Sequence, residues 1–267
     1  MHHLSTLIKE LRALDYNSYL CATLAYKDDF AKIAAIALLH AELKKITTIS
    51  EEEMVAMVRL AWWQENLEEI FVKNQSKNHH LLETILQHRD AINYDLLQEA
   101  LSDHIWVRSD QIWVKNKEEL QQYIYQAYEI FFLVMLDIVA CKEKKLAQYL
   151  AQISFYYDVL KMIKKEEEVV VRFFYPAFFN ELGLAVTSWQ KNDDDENLCE
   201  IVKYIAAQIQ KNCDAIKSLT LDKRSKNLVL RSRIIEPILK NLEKNNFDIF
   251  TTNLVDKSLV AKLRLLI

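Results

Sequence analysis

Hydrophobic residues recur at helical spacing along most of the chain, and they do so most densely between residues 51 and 71. One apolar face of this segment runs from Leu60 through Trp63 to Phe71. A second face, concentrated in the first half, consists of Met54, Met57, Val58, Ala61 and Trp62. A helix that is apolar on two faces is normally buried between neighbours. We therefore expect a central core helix in which Trp62 or Trp63 is deeply buried.

The other apolar periods predict further helices joined by short polar links. They cover residues 1–14, 15–26, 28–46, 81–89, 92–105, 117–141, 144–165, 198–216 and 228–242. The chain has one glycine and two prolines, whereas sheets and long loops need both residue types for their turns. No repeat, low-complexity tract or interdomain linker interrupts the pattern. The sequence therefore predicts an all-α helical bundle that forms a single domain over residues 1–267.

Composition and charge exclude several classes of protein. The net charge of -4 and the pI near 6.0 give no bulk attraction to nucleic acid. The four cysteines lie far apart, in neither a C-x-x-C nor a zinc-binding spacing, so we expect reduced thiols in a cytosol-like compartment. We expect no signal peptide, because a cationic start followed by an apolar run is lacking. The most apolar run, residues 130–141, contains Asp137 and is too short to span a bilayer. These patterns predict a cytoplasmic protein that does not span a membrane.

Several segments, in order along the chain, resemble motifs of the squalene/phytoene synthase superfamily. The most specific are R-L-A-W-W from Arg59, R-F-F-Y-P from Arg172 and F-D-I-F from Phe247, where Asn246 replaces a preceding glycine. D-Y-N-S-Y-L resembles the family's entry motif, but a basic residue is missing near Ser18. The resemblance implies the isoprenoid (terpenoid) synthase fold, a helical bundle around a central cavity. It is closest to a branch that often lacks the synthase motifs and includes a mitochondrial assembly factor for respiratory complex I.

Active head-to-head synthases of this superfamily carry two aspartate-rich motifs that hold magnesium ions against a diphosphate. In this chain the window of the first motif reads K-K-I-T-T from Lys44 and has no carboxylate. The second motif resembles residues 158–166, where Lys161 stands for an arginine and Met162 replaces the first metal-binding aspartate. The resemblance leaves Asp158 and Glu166 as weak candidates for metal ligands. We expect no cofactor, and Mg2+ only if the chain is an active synthase.

Basic residues at motif positions are the candidates for contacts with a diphosphate. They are Lys44, Lys45, Arg59, Lys161 and Arg172. Lysine cannot coordinate Mg2+, but its ammonium group can contact phosphate oxygens directly. Lys44 and Lys45 also suit the C-terminal end of a helix, where positive charge opposes the helix dipole. Both interpretations of these two lysines are open from the sequence.

Two functions follow from the resemblance. In the first, the chain is a catalytically degenerate relative and not an enzyme. It binds a protein partner or an isoprenoid lipid and supports assembly of a membrane respiratory complex. It would lie peripherally at the inner face of the membrane. In the second, it is an Mg2+-dependent prenyltransferase that condenses isoprenyl diphosphates head to head. Metal ions that neutralise a departing diphosphate stabilise the transition state by several kcal/mol. The missing carboxylates therefore favour the first function. The many aromatic residues between positions 117 and 165 fit either a lipid tunnel or a filled core.

Overall fold

The computed structural model describes residues 2–49, 53–101, 114, 116–165 and 195–254. All regular structure in these ranges is helical, which confirms the all-α prediction. Helices α1 to α6 cover His2–Leu14, Tyr16–Thr23, Lys27–Ile49, Glu53–Lys73, His80–His88 and Tyr94–Ala100. Helices α7 to α11 cover Lys117–Ile124, Ile130–Ile138, Lys145–Lys164, Asp195–Lys217 and Leu230–Lys244. None of the helices in these ranges is both long enough and apolar enough to cross a bilayer.

Contacts along the chain divide it into two compact units. The first unit is formed by Met1–Asp110, Tyr125–Gln148 and Thr220–Arg231. The second unit is formed by Gln111–Ile124, Tyr149–Leu219 and Ser232–Ile267. Each unit is therefore assembled from separate stretches of sequence, and neither corresponds to one half of the chain.

Helix α3 is the centre of the first unit, where α1, α2, α4, α5 and α8 all pack against it. Every residue from 33 to 39 in the middle of α3 is buried. Alanine at three of these positions, Ala34, Ala35 and Ala37, gives this section a small radius. Because the distance between packed helices depends on the side chains at the contact, neighbours can approach α3 closely from several sides.

The predicted core helix is present as α4, and one of its two apolar faces is buried as expected. Trp63 is 6% exposed, and α4 packs against α3 and α5. The expectation for the second face is wrong, because Met54, Met57 and Val58 are exposed and Trp62 is only half-buried. The stripe through Trp63 therefore anchors α4, while the first half of the helix presents apolar side chains to solvent.

The single long helix predicted over residues 117–141 is interrupted. Helix α7 ends at Ile124, the next five residues form a π-helical turn, and α8 then continues to Ile138. A π-turn adds one residue to a helical turn and so changes which side chains face inward. In this turn Gln126, Ala127 and Tyr128 are buried. One added residue leaves the apolar content of the segment unchanged, and the sequence pattern therefore does not show it.

Helices α8 and α11 both end in Schellman motifs. After α8, Ala140 has φ of 55° and the Cys141 N–H donates to the Leu136 carbonyl at 2.8 Å. After α11, Asn246 has φ of 52° and the Phe247 N–H donates to the Leu242 carbonyl at 2.7 Å. The left-handed residue of this motif is usually glycine and sometimes asparagine. The backbone therefore explains why Asn246 can replace the glycine that the family resemblance leads one to expect.

The second unit has its own buried stripe and its own anchor for the turn after α11. The stripe of α10 is buried as its periodicity predicts, at Ile201, Val202, Ile205, Ile209, Cys213 and Ile216. Tyr123 of α7 meets Phe155 of α9 edge to face at 6.0 Å. At the end of α9, the Lys164 ammonium donates to the backbone carbonyls of residues 249, 250 and 252. Lys164 therefore fixes the F-D-I-F segment to α9.

Candidate functional site

Four polar side chains converge in the first unit, and we call them the Asp15 cluster. They are Asp15, Ser18, Lys44 and Arg231. Asp15 is the N-cap of α2, and its carboxylate accepts hydrogen bonds from the Ser18 N–H at 3.0 Å and the Ser18 hydroxyl at 2.8 Å. The same carboxylate lies 3.6 Å from Nη1 of Arg231 and 3.9 Å from Nζ of Lys44. Nη1 of Arg231 also donates to Ser18 Oγ at 2.7 Å. One carboxylate therefore faces two cations in a largely buried site.

Lys44 reaches the cluster from α3, in the window where the family resemblance places the first aspartate-rich motif. Its ammonium lies 5.6 Å from the centroid of the Tyr128 ring, within the range of a cation–π interaction. Tyr128 belongs to the π-helical turn, and turns of this kind are frequent at functional sites. Lys44 is therefore held by a carboxylate on one side and an aromatic ring on the other.

A cavity of about 20 Å³ adjoins the cluster and is lined by Ser18, Arg231 and several apolar side chains. His40 is buried in the wall of this cavity. Its ring stacks on that of Phe131 with 4.5 Å between the ring centroids, and it meets the Tyr128 ring edge-on with 5.2 Å between the centroids. A cavity of this volume holds about one water molecule and is far too small for a prenyl chain. Tyr128 and Phe131 therefore act as packed core residues of the first unit.

Cys21 also lines this cavity, and its chemistry is set by burial. Desolvation raises the pKa of the Cys21 thiol to about 12, and the nearby charge of Arg231 lowers that pKa only in part. The thiolate is the reactive form of cysteine, and a thiol with such a pKa stays protonated at neutral pH. Cys21 therefore contributes packing to the cavity wall and no nucleophile.

The region of the second motif lies on α9, in the second unit. Asp158 is buried, and its Oδ1 lies 2.5 Å from Nζ of Lys161, one helical turn further along. The same ammonium lies 5.1 Å from the centroid of the Tyr157 ring. The arrangement repeats that of Lys44, since a lysine again joins a buried carboxylate to an aromatic ring.

The described side chains do not fit a magnesium site. Within the ranges that the structure describes, no group of three His, Cys, Asp or Glu residues is placed to hold a metal ion. In the window that the family resemblance assigns to the first aspartate-rich motif, Lys45 pairs with Glu42 at 2.7 Å. Asp158 supplies one carboxylate, and Lys161 already compensates its charge. Each Mg2+ ion of a diphosphate complex is usually held by one or two carboxylates together with oxygens of the diphosphate.

The residues predicted as candidates divide between the two units. Lys44 and Lys161 each pair with a carboxylate of their own unit. Arg59 is exposed on α4. Glu166 and Arg172 lie outside the described residues, so their roles stay predictions.

Arg231 is the member of the Asp15 cluster that sequence patterns do not identify. Its guanidinium lies beside Ser18, the position near which the entry motif lacks its basic residue. One signal for it is present in the sequence, because Arg231 is the second residue of α11 and a cation is unfavourable at a helix N-terminus. Such a cation indicates a carboxylate partner elsewhere in the fold, and Asp15 is that partner.

Comparison with known sequences agrees with the motif resemblance. The profile of the family described as squalene/phytoene synthase matches residues 11–264. The protein "NADH dehydrogenase (ubiquinone) complex I, assembly factor 6" of Homo sapiens is 21% identical over 265 residues, which cover 96% of this chain and 79% of the human protein. The protein of the same name from Bos taurus is 20% identical with the same coverage.

Solved structures show the same fold at low sequence identity. A dehydrosqualene synthase crystallised with ligand has a TM-score of 0.72 and 12% identity, covering 99% of this chain and 96% of that chain. Squalene synthase HpnC from Alicyclobacillus acidocaldarius has a TM-score of 0.70 and 11% identity, covering 92% and 95%. The fold is therefore of the isoprenoid (terpenoid) synthase type, as the resemblance implies. Since the family profile also spans nearly the whole chain, the chain belongs to the squalene/phytoene synthase family.

Proposed function

We propose that this chain is a catalytically degenerate member of its family that acts as a binding or assembly factor for a membrane respiratory complex. The relatives named complex I, assembly factor 6, support this function, because they align over 96% of this chain. The two synthases of known structure, at 12% and 11% identity, support the fold alone.

The observation that carries the proposal is the pairing of Lys44 with Asp15 at 3.9 Å. In an active synthase this window supplies carboxylates that hold the metal ions against the diphosphate. Here it supplies a cation that lies beside the Asp15 carboxylate and the Tyr128 ring. A transition state with a departing diphosphate would lose metal stabilisation worth several kcal/mol, so we expect no synthase activity at ordinary enzyme rates.

The location and the ligand are further parts of this proposal. We place the chain in the cytoplasm, peripherally at the inner face of the membrane that holds the respiratory complex. Apart from its protein partner, it would bind a neutral isoprenoid better than the corresponding diphosphate. The reason is that the carboxylates needed for a metal-bound head group are replaced, while apolar and aromatic residues remain abundant on α9.

An enzymatic assay tests the catalytic part of the proposal. The purified chain is incubated with Mg2+ and farnesyl or geranylgeranyl diphosphate, with an active dehydrosqualene synthase as a positive control. We expect no thirty- or forty-carbon product from this chain. Formation of such a product at ordinary enzyme rates would contradict the proposal and establish a prenyltransferase.

Two further measurements test binding and assembly. Calorimetry with farnesol and farnesyl diphosphate, each with and without Mg2+, should show a preference for farnesol. Tight, Mg2+-dependent binding of the diphosphate would instead mean that a head-group site is retained. In the source organism, deletion of the gene should reduce the amount of assembled complex I on native gels, and reintroduction of the gene should restore it. An unchanged amount of complex I would contradict the assembly role.

A further inference from the structure

One face of α4 carries a group of apolar side chains that the fold leaves in solvent. Met54 is 76% exposed, Met57 51% and Val58 66%, and Ala61 is exposed beside them. Residues at spacings of three, four and seven lie on one face of a helix, so these four form a continuous surface. We call Met54, Met57, Val58 and Ala61 the α4 outer patch.

Folding of the first unit does not account for this patch. Helix α4 is anchored by Trp63 and other buried residues on a different face. Replacing exposed apolar side chains by polar ones would remove almost no buried surface from the fold. Contiguous exposed apolar surface generally marks an interaction site, and methionine suits such sites because its flexible thioether adapts to a partner.

Acidic residues bound the patch along the helix. Glu65 and Glu68 are exposed on the same face as the patch, within the next two turns. In the sequence, three consecutive glutamates, Glu51 to Glu53, precede Met54. Negative charge at the rim repels the anionic headgroups of a cytoplasmic leaflet and attracts lysine and arginine side chains. This charge pattern favours a basic protein partner over a membrane surface.

We propose that the α4 outer patch binds an amphipathic helix of another protein. The apolar stripe of that helix covers Met54, Met57 and Val58, and basic residues at one of its ends pair with Glu65 and Glu68. The stretch from Met54 to Glu65 spans about 16 Å at 1.5 Å per residue, so the partner needs about three helical turns. This inference is independent of the proposed function, because the patch shares no residue with the Asp15 cluster and does not require an inactive synthase.

Fluorescence anisotropy with designed peptides tests the proposal. The probe is an 18-residue amphipathic helix with a leucine stripe and lysine flanks, and its counterpart carries glutamate in place of lysine. We expect the lysine peptide to bind more tightly than the glutamate peptide. The double variant Met54→Gln/Met57→Gln should weaken binding of the lysine peptide about tenfold. Glu65→Gln/Glu68→Gln should weaken it and flatten its dependence on salt.

The control is Leu14→Gln, since Leu14 is an exposed apolar residue at the end of α1 and lies outside α4. This variant should bind the lysine peptide as wild type does, and all variants should keep the thermal unfolding midpoint because the replaced side chains are exposed. Absence of binding, or equal binding by every variant, would overturn the proposal.

Two other occupants of the patch give distinct results that also overturn the proposal. If vesicles with anionic lipid bind the chain and Met54→Gln/Met57→Gln abolishes that binding, the patch is a membrane contact. If sedimentation shows a dimer that the same variant dissociates, the occupant is a second copy of this chain.

Discussion

The guanidinium of Arg231 lies 3.6 Å from the carboxylate of Asp15, so a buried ion pair joins the start of α11 to the start of α2. Less than a tenth of either side chain is exposed. The pair is completed by Ser18, whose hydroxyl donates to Asp15 and accepts from Arg231. Two segments from opposite ends of the sequence are thereby fixed to each other within the first unit.

Removal of Arg231 should destabilise the protein strongly. Arg231→Met removes a cation that lies 3.6 Å from the buried Asp15 carboxylate, and loss of one partner from a buried pair costs about 3–5 kcal/mol. Urea denaturation of the variant and wild type measures this change in the free energy of unfolding. Adding Asp15→Asn to Arg231→Met removes the buried negative charge that has lost its guanidinium partner while keeping an N-cap residue, so the double variant should be more stable than Arg231→Met alone. A double variant no more stable than Arg231→Met would contradict this explanation.

The two adjacent tryptophans of α4 should differ in their contribution to stability. Trp63→Ala removes a buried indole and should lower the free energy of unfolding by about 3–5 kcal/mol. Trp62 is half-buried, so Trp62→Ala should cost clearly less. Chemical denaturation of both variants measures the difference. An equal cost would contradict the assignment of Trp63 as the anchor of α4.

Ala140 is a position where glycine should be better than the natural residue. Its φ of 55° lies in the left-handed region, which a side chain with Cβ disfavours by about 1 kcal/mol. Ala140→Gly should therefore raise the free energy of unfolding by up to about 1 kcal/mol. The matched control is Ala61→Gly, in the interior of a helix and exposed, where glycine should lower stability by about 1 kcal/mol. The same sign of change in both variants would contradict this explanation.

Stability should fall as the pH drops below about 6.5. Burial lowers the pKa of His79, and the neighbouring His80 adds to that effect; burial and the charge of Lys32 lower the pKa of His88. Well above pH 6.5, these imidazoles are neutral in the folded and in the unfolded protein. As the pH falls below 6.5, the unfolded chain takes up protons before the folded protein does, and this favours unfolding. The urea midpoint should therefore be lower at pH 5.5 than at pH 7.5.

His79→Phe isolates one contribution to this pH dependence. Phenylalanine keeps a ring against Trp62 and Trp63, whose centroids lie 5.6 and 5.8 Å from that of His79, but it cannot be protonated. The variant should lose less stability than wild type between pH 7.5 and 5.5. The raised pKa of Glu129 makes the folded protein more stable as the pH falls, which is opposite to the effect of the histidines. Glu129 is present in the variant and in wild type, so the difference between the two proteins does not include its contribution. An unchanged slope would contradict the role of His79.

The spacing of apolar residues predicts which side chains form a stripe on each helix, but it does not predict which other element packs against that stripe. The stripe through Trp63 and the stripe of α10 are buried as expected, because three- and four-residue spacing determines which side chains share a face. The exposure of Met54 and Val58 could not be predicted, since spacing does not show whether another element covers a face. The π-turn before α8 was missed for a related reason, because one extra residue changes register without changing composition.

Pairings between distant segments account for the rest of the difference. Lys44 and Lys161 were correctly singled out as unusual, but the sequence does not show that Asp15 and Asp158 are their partners. Arg231 was overlooked because its partner is separated from it by most of the chain. A cation in the first turn of a helix is unfavourable because the dipole makes that end positive. Arg231 in the first turn of α11 therefore indicates a carboxylate partner.

The first unit combines Met1–Asp110 with the distant segment Thr220–Arg231, and this has a consequence for its synthesis on the ribosome. Asp29 is fully buried and receives a bidentate contact from Arg224, just as Asp15 is paired with Arg231. Chains emerge from the N-terminus at about 5–20 residues per second. For about 10–40 seconds, therefore, α2 and α3 exist without the guanidinium groups that pair with their buried carboxylates. We expect these helices to reach their final packing only after residue 231 has left the exit tunnel. A nascent chain truncated before Thr220 should therefore fail to fold and should be bound by chaperones.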